Sequence, residues 1–284
     1  MTTPELPVPL VSLPWLAAHI DDPRLVVLDA TFHPIAPPPP PPDYDVPVYL
    51  PHARVFDFDK RICDPSSSLP HMMPSAELFE REVRALGVDD DSRVVVYDRI
   101  GIFSSPRAWW MFKAMGHRAV AVLDGGLPAW HAARLPLATQ PEAPRGPGRF
   151  VARPEPGLFC DAERVQRAID DRHAVVLDAR PEKRFFGRGP EPRPGLRSGH
   201  MPHAVNLPFA ALQEHGHMRP PAELSRVFQS KIADTPTLVL SCGSGVTACV
   251  LALGATLAGY SDMTVYDGSW SEWGLPSSRP VVTE

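Results

Sequence analysis

The chain has no basic block, no C-x-x-C pair and no long apolar run. Each absence excludes a class of function. Twenty-eight Lys and Arg stand against 33 Asp and Glu, a formal charge of -5, so nucleic acid and anionic membrane are not expected partners. The opening stretch MTTPELPVPLVSLPWL has no basic n-region and is broken by prolines. It reads as neither a signal peptide nor a membrane span, and the expected location is the cytoplasm. Only four cysteines occur, Cys63, Cys160, Cys242 and Cys249. Without paired spacing they support no zinc site and no dithiol redox motif, and a cytosolic chain keeps them reduced. Eleven histidines are present, but His200 and His203 flank Pro202 in a turn-like Gly-His-Met-Pro-His rather than sharing a helix face. No metal and no cofactor are expected.

The 284 residues suit two domains of ordinary size, and a hydrophobic content of 44% with 21% charge describes a globular chain able to build a core. The sequence repeats itself. Leu25-Val26-Val27-Leu28-Asp29-Ala30 matches Ala174-Val175-Val176-Leu177-Asp178-Ala179. Pro51-His52-Ala53 recurs as Pro202-His203-Ala204, and Arg93 to Asp98 lies opposite Thr237 to Cys242. Leu123-Asp124-Gly125-Gly126 with Trp130 corresponds to Tyr266-Asp267-Gly268-Ser269 with Trp273. Four matches in one order indicate a duplicated unit of about 130–150 residues, close to the usual domain size.

Each half reads β-α-β-α. Short apolar runs at 25–29, 94–97, 119–123, 174–178, 237–241 and 263–266 suit strands of a parallel sheet covered on both faces. Helices are expected over 75–86, 106–115, 161–170 and 246–258, with Ser75 and Asp161 as N-caps. The expected organisation is a domain over 1–140, a proline- and glycine-rich exposed linker over 141–157, and a domain over 158–284. The run Pro37 to Pro42 reads as a polyproline surface loop within the first domain.

Chemistry concentrates in Leu238-Val239-Leu240-Ser241-Cys242-Gly243-Ser244-Gly245-Val246-Thr247-Ala248. A strand ends, a cysteine follows, and a glycine-bearing loop leads into a helix. That sets one thiol over successive N–H groups and a helix N-terminus, both of which favour an anion. Gly243 and Gly245 let the backbone curl towards it. A thiol in an anion cradle supports phosphate-ester hydrolysis or sulfur transfer. The first needs an arginine six residues on, where this chain has Ala248. A persulfide, whose outer sulfur is anionic, needs N–H donors more than a guanidinium. Asp98 stands at the repeat position of Cys242, so one active site is expected, in the second half. The first half then contributes stability and one wall of the cleft.

The loop Cys242-Gly243-Ser244-Gly245-Val246-Thr247-Ala248 resembles the active-site loop of 3-mercaptopyruvate sulfurtransferases in the rhodanese superfamily. The segments Arg180 to Phe185 and Pro190 to Arg193, and Gly199-His200-Met201-Pro202-His203-Ala204-Val205-Asn206-Leu207-Pro208, are similar to family signatures. So are Ser105 to Trp110 and Tyr266 to Trp273. The resemblance implies an α/β fold of two tandem rhodanese-like domains, each a mostly parallel sheet flanked by helices, the first silent. It implies that Cys242 takes sulfur from 3-mercaptopyruvate as a persulfide and gives it to a thiol such as thioredoxin, or to cyanide. Arg184 and Arg193 would hold the donor's carboxylate and keto oxygen, as guanidinium geometry suits. Backbone N–H groups of Gly243, Ser244, Gly245, Val246, Thr247 and Ala248 would hold the persulfide. Ser244, His71 and Asp59 would form a proton relay, although one extra residue separates Asp59 from His71 relative to the family pattern. The uncharged Gly243 and Ser244 favour this donor over thiosulfate, whose users carry cations there. Cys249 reads as a small buried helix residue.

Overall fold

In the computed structural model, which describes residues 5–34, 47–232 and 237–283, the duplication is visible as two parallel five-stranded sheets of identical topology. The first half contains β1 (Leu10–Val11), α1 (Leu13–His19), β2 (Leu25–Asp29), β3 (Arg54–Val55) and α2 (Ala76–Ala85). It continues with β4 (Arg93–Tyr97), α3 (Ser105–Ala114), β5 (Val120–Leu123) and α4 (Gly126–Ala132). The second half contains β6 (Phe159–Cys160), α5 (Ala162–Asp171), β7 (Val175–Asp178), α6 (Glu182–Phe185) and β8 (Val205–Asn206). A small hairpin, β9 (Gln213–Glu214) and β10 (His217–Met218), precedes α7 (Pro221–Ile232). β11 (Leu238–Ser241), α8 (Ala248–Leu257), β12 (Met263–Tyr266) and α9 (Ser269–Trp273) complete it. The sheet orders are β1-β5-β4-β2-β3 and β6-β12-β11-β7-β8. The run Pro37 to Pro42 lies outside the described residues.

The strands are apolar throughout because both sheet faces are covered. Side chains alternate along each one. Val26, Leu28, Val94 and Val96 point into one core, whereas Leu25, Val27, Val95 and Tyr97 point into another. In the second half Leu238 and Leu240 share the first core, and Val239 joins a third with Trp270 and Trp273. One apolar core therefore runs through both halves, where Trp109 and Phe112 of α3 and Val250 and Leu253 of α8 belong to the same cluster. Capping follows expectation: Ser75 Oγ accepts the Leu78 N–H at 3.2 Å, and Asp161 Oδ1 accepts that of Arg164 at 2.8 Å. Each such cap is worth about 1 kcal/mol.

The segment between the sheets is exposed over most of 140–149 but is tied to the first half. Glu142 N–H donates to Ala53 O, Gly148 N–H to Arg84 O, and buried Phe150 N–H to Val88 O. The repeat also produces a reciprocal clamp. Asp124, after β5, accepts the Met218 N–H of the second half at 3.0 Å. Asp267, after β12, accepts the Met73 N–H of the first half at 2.7 Å. Each half thus lays its loop before α2 or α7 against the other's Asp-Gly turn.

Candidate active site

A cavity of about 340 Å³ lies at the seam, lined by residues of both halves. Its floor is the Cys loop, with Cys242, Gly243, Ser244, Val246 and Thr247. Its charged wall carries Arg180, Arg184, Glu191 and Arg193, and the first half adds Phe32, Pro34 and Phe103.

Cys242 follows β11 directly and is 1% exposed. Its N–H donates to Ser269 Oγ at 3.1 Å, and its carbonyl accepts the Trp270 N–H at 3.0 Å. Ser271 anchors the next carbonyl, that of Gly243, through N–H and Oγ at 2.8 and 2.7 Å. These bonds hold the loop by its carbonyls. Among the described residues, the N–H groups of 243–247 have no protein acceptor. The backbone here is a set of donors that no described protein group uses.

Of the two loop glycines, only Gly245 has a positive φ, 74°. A Cβ there would lie 2.8 Å from Asp267 O and 2.9 Å from Arg107 Nη1, so both conformation and space require glycine. Gly243 is conformationally ordinary, but a Cβ on it would meet Arg184 Nη2 at 3.1 Å.

Asp98 shows what the cradle is built to hold. Its Oδ1 accepts the Ile100 N–H at 2.9 Å. Its Oδ2 accepts the N–H groups of Phe103, Ser104 and Ser105 at 2.8–2.9 Å and the Ser105 hydroxyl at 2.7 Å. The first half fills its loop with its own carboxylate.

The two expected substrate arginines differ. Arg184 lies in the short helix α6 and is paired: Nε lies 3.2 Å and Nη2 2.5 Å from Glu191 Oε2. Glu191 is almost fully buried and also accepts Arg180 Nη1 at 3.1 Å. Arg193 has no hydrogen bond or ion pair among the described residues. Burial pulls its pKa down, Asp59 pulls it up and Arg184 pulls it down again, which places an unpartnered cation between an acid and another cation. Such a group is a ready carboxylate ligand.

The expected relay is partly assembled. His71 Nδ1 is 3.0 Å from Asp59 Oδ1, off the axis of a hydrogen bond, and His71 Nε2 has no partner. No hydrogen bond therefore joins it to Ser244. The imidazole is wedged against Phe32 and Phe58 at ring distances of 4.7 and 5.8 Å. Burial, then Arg107 and Arg193, push its pKa down to about 3, so it is neutral at pH 7. Burial and the nearby Asp57 push the Asp59 carboxyl up.

Several site residues escaped the sequence reading. Arg180, 1% exposed, forks onto Asp178, bonds Glu191 and Gly199 O, and stacks over Trp270 at 4.1 Å. Arg107 of α3 reaches the Cys loop from the first half. Ser269 supports the Cys242 N–H. A charged residue inside the aromatic run Arg107-Ala108-Trp109-Trp110 was the available signal for a buried cation; nothing marked Glu191. Cys249 is fully buried, donates to Gly245 O at 3.3 Å, and burial pushes its thiol pKa up. His200 is a core residue, stacked on Phe185 at 3.9 Å with Nδ1 2.9 Å from Phe185 O.

The sequence profile of the Rhodanese-like domain matches residues 12–133 and 161–275. A 3-mercaptopyruvate sulfurtransferase of Rattus norvegicus is 41% identical over 282 residues, with 96% of this chain and 94% of the relative covered. The protein of that name from Escherichia coli (strain K12) is 38% identical, covering 95% and 96%. A thiosulfate sulfurtransferase of Gallus gallus is 40% identical, covering 93% and 92%. The crystal structure of a 3-mercaptopyruvate sulfotransferase from Escherichia coli matches with a TM-score of 0.79 at 35% identity, over 93% of this chain and 99% of that one.

Proposed function

The chain belongs to the rhodanese family and is a sulfurtransferase; from that premise we propose that it draws sulfur from 3-mercaptopyruvate, carries it as a persulfide on Cys242, and releases pyruvate. The observation that carries the donor assignment is the division of charge in the cavity. The loop carries no charge of its own at Gly243 and Ser244, and the guanidiniums come from the wall, Arg193 and Arg184, the latter with Nη2 3.1 Å from where a Cβ on Gly243 would lie. That division suits a sulfur on the floor and a carboxylate held by the wall. A compact dianion such as thiosulfate would be better served by cations beside the thiol.

In this reading the Cys242 thiolate attacks the donor sulfur. The S–S bond forms as the carbon–sulfur bond breaks, and its electron pair passes to the pyruvate enolate. The proton lost from the donor thiol equals the one gained by the enolate carbon, so no outside acid is needed. Arg193 and the free edge of Arg184 hold the carboxylate and keto oxygen and offset the developing enolate charge. N–H groups of 243–248 receive the persulfide sulfur. The relay passes a proton through a neutral imidazole, with Asp59 on the Nδ1 side of His71 and Ser244 joining on the Nε2 side when the donor is bound. An acceptor thiol, such as that of a thioredoxin, then takes the outer sulfur and its proton moves with it, restoring the Cys242 thiolate. The four free cysteines fit a reducing compartment, and we assign the cytoplasm.

Two measurements test the reading. Intact mass after incubation with 3-mercaptopyruvate should show one added sulfur on the wild type and on Cys249→Ser, and none on Cys242→Ser. Steady-state assays with a common acceptor should favour 3-mercaptopyruvate over thiosulfate. A preference for thiosulfate would reassign the donor, and a loaded Cys242→Ser would reassign the nucleophile.

A further inference from the structure

Arg107 belongs to the half without a nucleophile, yet it is fully buried at the back of the Cys loop. It sits in the first turn of α3, and its guanidinium is shared among parts of both halves. Nη1 pairs with Asp267 Oδ1 at 2.7 Å and donates to Gly245 O at 3.3 Å. Nη2 donates to His71 O, and the plane lies over the Phe159 ring at 4.6 Å. One fork therefore touches the nucleophile's loop, the turn after β12 and the loop carrying His71.

The bond to Gly245 has a consequence one residue on. In a trans peptide the carbonyl and the following N–H point in opposite directions. Drawing Gly245 O back towards Arg107 turns the Val246 N–H to the other side, and Val246 lines the cavity. The same approach is why Gly245 must be glycine. Arg107 also brings a charge into the dry interior behind the thiol. Burial works against that charge, but Asp267, Cys249 and Cys242 outweigh it and leave its pKa raised. Cationic character close to a sulfur favours the thiolate and an anionic persulfide.

We propose that Arg107 is a positioning residue for sulfur transfer: by holding the Gly245 carbonyl, the silent half sets the N–H cradle that receives sulfur on Cys242. The proposal rests on Cys242 being the nucleophile but not on which donor loads it. Lysine at this position keeps the charge but cannot serve Asp267, Gly245 and His71 from one planar fork. Methionine loses both charge and fork.

The test is single-turnover persulfide loading of Arg107→Lys and Arg107→Met, with the pH dependence of Cys242 alkylation measured by peptide mass. Both rates are taken per folded molecule, with folding checked by circular dichroism and melting. Arg107→Lys should load ~10- to 100-fold more slowly with KM within about twofold of wild type, the signature of a lost transition-state interaction. Arg107→Met should load at least as slowly, and Cys242 should alkylate more slowly in it than in Arg107→Lys across the pH range, because the buried charge behind the thiol is gone. A folded Arg107→Lys that loads within twofold of wild type overturns the proposal, whether or not Arg107→Met folds. Failure of the nucleophile assignment would look different, as a wild type with no persulfide on Cys242.

Discussion

Asp98 and Cys242 occupy the same station in the two halves, and the loops after them are wired in opposite senses. Around Asp98, four N–H groups and one hydroxyl converge on a carboxylate that the chain itself supplies. After Cys242 the N–H groups of 243–247 have no protein acceptor among the described residues. One loop is closed by its own anion, and the other is held ready for one that arrives with sulfur.

Asp98 should therefore matter for stability and not for chemistry. Removing a buried carboxylate leaves several donors unsatisfied, each of which costs about 1–3 kcal/mol. We expect Asp98→Ala to lose about 3 kcal/mol or more in urea unfolding, while persulfide loading per folded molecule stays within about threefold of wild type. A folded Asp98→Ala that has lost turnover by orders of magnitude would place chemistry in the first half.

The two wall arginines should separate. Arg184 is committed to Glu191, whereas Arg193 offers its donors without competition. Arg193→Ala should remove a charge-assisted interaction of roughly 1.5–3 kcal/mol, or ~10- to 150-fold in kcat/KM for 3-mercaptopyruvate. Arg184→Ala should do at least comparable damage in a different form, because it also strips buried Glu191 of one partner. Its melting temperature should fall, while that of Arg193→Ala should not. Equal thermal stability of the two variants would contradict this division of roles.

Charge beside the thiol should shift the donor. Gly243→Arg combined with Ser244→Lys should raise the ratio of thiosulfate to 3-mercaptopyruvate turnover. The conformation of Gly243 permits a side chain, but that chain enters beside Arg184, so folding must be checked. Gly245→Ala is the contrasting case. Its φ of 74° and the backbone oxygen 2.8 Å from a Cβ should displace the loop and abolish loading in a protein that still folds. A ratio unmoved in the folded double variant would show that this loop does not select the donor.

His71 gives a pH signature. Its folded pKa, pushed down to about 3, lies below the ordinary value near 6.5. The unfolded chain therefore takes up a proton that the folded one refuses, and His71 lowers stability as pH falls from about 6.5 towards 3. The slope is at most about 1.4 kcal/mol per pH unit. His71→Gln should flatten the acid limb of a stability–pH curve by about that amount. Parallel curves for wild type and variant would show that His71 titrates normally.

What the sequence made readable was whatever obeys a local pattern. Strands buried on both faces appear as apolar runs, and Ser75 and Asp161 announce their helices. The Cys loop is continuous, so its thiol and its run of backbone donors could be located directly. β1 and β3 pair over two residues each, too short for any periodicity. Of the helices, α1, α4, α6, α7 and α9 lie outside the expected ranges; in α1, Pro14 in the first turn reads as a break although it starts the helix. The charged architecture was hidden for a different reason. Arg107 acquires meaning only through Gly245, Asp267 and the His71 loop, far along the chain, Glu191 and Arg180 pair with Arg184 and Asp178 in a way no local pattern announces, and Phe32 and Phe103 line a cavity whose floor belongs to the other half. In the relay, proximity of His71 to Asp59 followed from the resemblance, but the orphaned Nε2 could only be seen in three dimensions.

The clamp formed by Asp124 on Met218 and Asp267 on Met73 bears on traffic through the cavity. A hinge that parted the halves would withdraw Arg107 from Gly245, take the His71 loop away from Asp267, and split the apolar core shared by α3 and α8. Opening like a clamshell would thus dismantle the cradle each time a donor entered. The cavity, whose lining includes Phe103, Phe209 and Arg193, would then work as a fixed berth, entered and left without parting the halves.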